Sequence, residues 1–77
     1  MNASHTVSEA ELVTTIARME MRLGAVKNPA VESLMFHYFS VAKRFESDLA
    51  SSHRDIALAK ASALMLVQAA AEAQNAA

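Results

Sequence analysis

Three features of the sequence predict an all-α fold: its alanine content, its two helix-start signals and the spacing of its apolar residues. Seventeen of the 77 residues are alanine, the strongest helix former, while Gly24 and Pro29 are the only strong breakers. Ser8 with Glu11, and Asn28 with Pro29, are start signals. Behind each, apolar residues recur at alternating spacings of four and three, which gathers them on one helix face.

The first helix is predicted from Ser8 to Gly24. Ser8 and Glu11 form a capping box, in which the hydroxyl and the carboxylate each satisfy a free N–H of the first turn. Leu12, Ile16, Met19 and Leu23 make its stripe, and Gly24 is expected to end it in a left-handed conformation. Residues 1–7 are polar and are expected to form a disordered arm.

The second helix is predicted to begin at Asn28–Pro29. From there Val31, Met35, Tyr38, Ala42, Phe45, Leu49, Ser52, Ile56, Ala59, Ala63, Leu66 and Ala70 keep one register, with Ser52 the sole strongly polar member. If the register is continuous, the molecule is a helical hairpin: a short first helix folded on a long helix over 28–73, with residues 74–77 fraying. The alternative is a three-helix bundle broken near 50–53, in which Ser52 caps a third helix and Asp55 lies in its first turn. No glycine, proline or asparagine marks that break, so the hairpin is the preferred reading. Either way residues 1–77 make a single helical domain.

A chain this short seldom stabilises itself with a lone core, and it has no cysteine for disulfides or thiolate metal sites. Self-association is the expected remedy, with a homodimer or a higher homo-oligomer as the product. Phe36 falls among Ser33, Ser40, Lys43 and Ser47, on what should be the wet side of its helix. Leu58 and Met65 fall opposite the main stripe, among Ala61, Ser62 and Ala69. Together with Tyr38 and Phe39, from the densest apolar run, they are the candidate partner or oligomer interface.

Little else in the chain suggests chemistry. His5, His37 and His53 lack metal-ligand spacing, and one glycine cannot build a phosphate cradle, so no metal or cofactor is expected. Glu9 with Glu11, and Glu46 with Asp48, stand two apart and diverge on a helix, so no catalytic residues and no enzyme activity are expected. His37, inside an apolar run, is a candidate pH sensor. Arg44 and Asp48 are spaced for an ion pair, and Glu20 is a candidate partner for Lys60 across an interface.

Seven basic residues against eight acidic ones give a net charge of −1, and acidic residues interleave the basic ones, which disfavours nucleic acid. The longest uncharged run, Ala61–Ala71, is shorter than the roughly 20 residues of a membrane span, so the expected setting is cytoplasmic, with no membrane. The leading expectation is a non-enzymatic oligomer that acts as adaptor, inhibitor or chaperone of another protein. A structural subunit of a helical assembly or secretion apparatus is the second reading, and a small DNA-binding regulator the third.

Overall fold

The computed structural model describes residues 8–48 and 52–76, and these form three α-helices with no strand among them. They are α1 (Glu9–Gly24), α2 (Pro29–Glu46) and α3 (His53–Ala76). Both start signals hold. The Ser8 N–H donates to Glu11 Oε1 and the Glu11 N–H to Ser8 Oγ, each at 3.1 Å. Asn28 Oδ1 accepts from the N–H groups of Ala30 and Val31, while Pro29 occupies the first turn.

The preferred hairpin, with its long helix over 28–73, is not what forms; a helical arrangement of three segments takes its place. The helices have 16, 18 and 24 residues, so the first is not distinctly short. At the end of α2, the Ser47 N–H donates to Lys43 O and Arg44 O, and Ser47 Oγ bonds Lys43 O at 3.1 Å. At the start of α3, Ser52 Oγ accepts the Asp55 N–H at 3.1 Å, and Ser52 O accepts the Ile56 N–H. Serine breaks helices without glycine or proline because its hydroxyl offers the backbone competing hydrogen bonds.

The break also changes the register. The continuous pattern puts Ile56, Ala63, Leu66 and Ala70 in the core, but the buried residues of α3 are Ala57, Leu64, Val67 and Ala71, each about one position away. Leu64 is fully enclosed, whereas Leu66 keeps 74% of its surface. Folding α3 back removes Leu64 and Val67 from water, each worth about 1.5–3 kcal/mol before entropy, and a straight continuation would forgo this.

α1 also departs from expectation at its end. Gly24 is not left-handed; the helix runs through it and closes on Ala25 at φ −90°, with the Ala25 N–H directed at Arg22 O. Residues 1–7, 49–51 and 77 lie outside the described residues, and with them the expected arm, Leu49 and the tip of the tail. α3 continues past Glu72 to Ala76.

α3 is the central element, packed along both α1 and α2, while α1 and α2 touch each other least. Cross-contacts set the directions. Glu20 and Arg22 meet Lys60 and Gln68 in rising order, so α1 and α3 run parallel, and Glu46 also meets Lys60, placing the end of α2 near the start of α3. The core joins Leu12, Ile16, Met19 and Leu23 of α1 to Val31, Met35, Tyr38 and Ala42 of α2 and to the α3 stripe. The Cα envelope measures 40 × 35 × 15 Å, scarcely thicker than two helix layers, so every helix keeps an open face.

Two substitutions test this packing. Leu64→Ala should cost about 2–5 kcal/mol in urea unfolding followed by helical circular dichroism, while Leu66→Ala should stay within about 0.5 kcal/mol. The reverse order would restore the continuous register. A Cβ on Gly24 would meet no atom within 4 Å, so Gly24→Ala should stabilise the chain by roughly 0.5–1 kcal/mol, read as a raised Tm.

Candidate functional site

The five residues singled out from the sequence separate into three groups. Tyr38 is buried, 3% exposed, and belongs to the chain's own core rather than to an outward surface. Its ring sits edge-on to Phe39, with centroids 5.1 Å apart, and its hydroxyl donates to Glu20 Oε2 at 2.6 Å. Phe36 (76% exposed) and Phe39 (47%) line one cleft of about 430 Å³ beside α1, with Ser40, Lys43, Glu46 and Glu20. Leu58 and Met65 line none of the main clefts; they project from the outer face of α3, 45% and 65% exposed.

Sequence reasoning missed a fourth group. Leu34, His37 and Val41 of α2 face Ala63, Leu66 and Ala70 of α3 across an apolar groove of about 280 Å³. The continuous register puts Leu66 and Ala63 in the core; the one-residue shift turns Leu66 outward and leaves Ala63 half-buried at the core's edge. His37 lies at the edge of this groove with its side chain exposed. The signal for the groove was present in the uncharged run Ala61–Ala71, but its orientation depended on where α3 begins.

A polar junction ties the three helices together. Lys60 Nζ of α3 bonds Glu46 Oε2 of α2 at 3.0 Å and stands 4.0 Å from Glu20 Oε2 of α1, the same oxygen that receives the Tyr38 hydroxyl. The predicted Glu20–Lys60 meeting therefore occurs within one chain rather than between chains. Next to it, Val13, Ile16, Ala17, Ile56 and Ala57 floor a cleft of about 340 Å³ rimmed by Glu20, Glu46, Lys60 and His53. Its carboxylates are engaged with Lys60 and Tyr38, so the junction serves first as an orienting clamp. Arg22 Nη2 is likewise committed, to Gln68 Oε1 at 2.7 Å.

Among the described residues no three His, Asp or Glu side chains are grouped to hold a metal ion. One helix, over His53–Gln74, is long and apolar enough to cross a membrane by length and composition, with a mean hydropathy of 1.4. Counting only the uncharged run Ala61–Ala71 understated this, because Lys60 interrupts the run without making the helix polar. The same helix is the one packed between α1 and α2, a role that also calls for apolar surface on more than one side.

Burial and the neighbouring Glu20 carboxylate hold the Tyr38 phenol well above its ordinary value of 10.0, since both disfavour a second negative charge. A folded-state value above the unfolded one means that this contribution to stability is complete below about pH 10 and is lost as pH rises beyond it. Tyr38 is the only tyrosine and there is no tryptophan, so phenolate absorbance reports it directly. The folded chain should show no phenolate at pH 10, and Tyr38→Phe should flatten the alkaline loss of stability; ionisation near 10 in the folded state would contradict the contact. In comparisons with known proteins, no family model, no curated protein and no solved structure matches this chain.

Proposed function

We propose that this chain is a non-enzymatic helical interaction protein, which self-associates and holds a segment of another protein as an adaptor, inhibitor or chaperone does. One observation carries the reading. Among the described residues eight large apolar ones are exposed, Val13, Met21, Leu34, Phe36, Phe39, Leu58, Met65 and Leu66, against nine such residues in the core once its alanines are set aside. Single surface hydrophobes are ordinary, but apolar residues gathered along helix faces mark surfaces that are covered in use.

In this reading the apolar groove between α2 and α3 takes the apolar face of a partner helix. Its small residues, Ala63 and Ala70, let a backbone approach closely, while Leu34 and Leu66 offer large side chains at its rims. Met65, on the outer face of α3, adds a flexible, polarisable contact suited to varied partners. The basic residues give less support to nucleic-acid binding, because Lys60 is engaged with Glu46 and Arg22 with Gln68.

Tagged wild-type protein should retain one host protein in near-stoichiometric amount, and Leu66→Ser together with Met65→Ser should release it while helicity is unchanged. Sedimentation velocity should show an oligomer at micromolar concentration that Phe36→Ser weakens. A monodisperse monomer that retains nothing removes the proposal.

A further inference from the structure

Besides the α2/α3 groove, the molecule has a second uncovered face with a different pattern. On α2, Glu32, Phe36, Phe39 and Lys43 follow one another at spacings of four, three and four, within an arc of about 60°. All four are exposed, and the arc lies on the flank of α2 turned toward α1, away from the groove with α3. Neither Glu32 nor Lys43 has a side-chain ion pair or hydrogen bond among the described residues. Phe39 is held in place from within by the edge-on ring of Tyr38.

The order acid, aromatic, aromatic, base is complementary to itself when read backwards. A two-fold axis crossing α2 midway between His37 and Tyr38 sets Phe36 against the partner's Phe39 and Phe39 against the partner's Phe36. The same axis sets Glu32 against the partner's Lys43, and the reverse, about 8 Å to either side of the aromatic layer. This is the isologous arrangement a symmetric dimer requires, with each residue both giving and receiving the same contact. A parallel pairing would set Glu32 against Glu32 and Lys43 against Lys43, so charge selects the antiparallel sense.

We propose that the second occupant of this face is another copy of the chain, and that two copies pair through antiparallel α2 helices with Phe36 and Phe39 at the axis and Glu32–Lys43 pairs flanking them. The cleft of about 430 Å³ between Phe36, Phe39 and Glu20 gives the incoming aromatic rings a place to seat. The assignment rests on the self-association proposed above and goes further by naming its face, its direction and its register. It leaves the α2/α3 groove and the outer face of α3 open on both copies, so that a dimer offers two grooves to a partner. The aromatic contact is small beside a standard interface of about 1,600 Å², so a micromolar rather than nanomolar dimer is expected.

The test is a charge exchange read by sedimentation velocity, with circular dichroism confirming the fold. Glu32→Lys puts lysine against lysine at both flanks, and Lys43→Glu puts glutamate against glutamate; each should weaken dimerisation roughly tenfold or more. The double variant Glu32→Lys/Lys43→Glu should restore the wild-type affinity. It carries the unfavourable helix-end charges of both single variants, so recovery cannot come from helix stability. A dimer indifferent to the single variants, or not restored by the double one, overturns this face and register while leaving self-association through another surface intact. A wild-type monomer at about 200 µM overturns both, and assigns the face to a different protein.

Discussion

α3 has to be covered on two sides, and the rest of the molecule follows from that requirement. Leu64 is enclosed only because α1 and α2 both lie along α3, and Val67, Ala57 and Ala71 extend the seam on either side of it. Alanines at two of these four positions let the helices approach closely, which favours dispersion contacts but contributes little area. A core built this way is shallow. It consumes one stripe of each helix, and a molecule 15 Å thick has no further layer with which to cover the rest.

The polar junction compensates in specificity. Apolar stripes on three short helices can slide past one another at modest cost, because neighbouring ridges differ little in size. Lys60 between Glu46 and Glu20, with the Tyr38 hydroxyl on that same Glu20 oxygen, links one residue on each helix to the others at a single level of the molecule. Moving any helix by a turn would leave a half-buried carboxylate or ammonium without its partner, and that penalty is larger than the worth of the pairs themselves. The Arg22–Gln68 bond repeats the constraint further along α1 and α3.

What remains uncovered is organised rather than scattered. The flank of α2 beside α1 carries charges at both ends of an aromatic pair, a pattern suited to one defined mate. The groove between α2 and α3 and the outer side of α3 carry alanine, leucine and methionine with few charges, a pattern that tolerates several sequences. The proposed reading assigns these two chemistries to two tasks, pairing and capture.

The parts of this protein legible in its sequence are those decided by neighbours within four residues. The Ser8–Glu11 box, the Asn28–Pro29 start, the stripe from Leu12 to Leu23 and the placement of Phe36, Leu58 and Met65 off the main stripes all follow from local hydrogen bonding and helix geometry. So does the ability of Ser52 to cap a helix, but its choice to do so does not. An apolar repeat that continues through residues 47–52 is compatible with a long helix, and only the burial of Leu64 and Val67 against α1 and α2 outweighs the lost turns. That tertiary contact also set the register, carrying Leu66 outward and Leu64 inward. It likewise decided that Tyr38 faces the core while Phe36 and Phe39 face outward, because which flank of α2 is covered depends on where two other helices lie. Periodicity fixes which residues share a face, but burial is a property of what packs against that face.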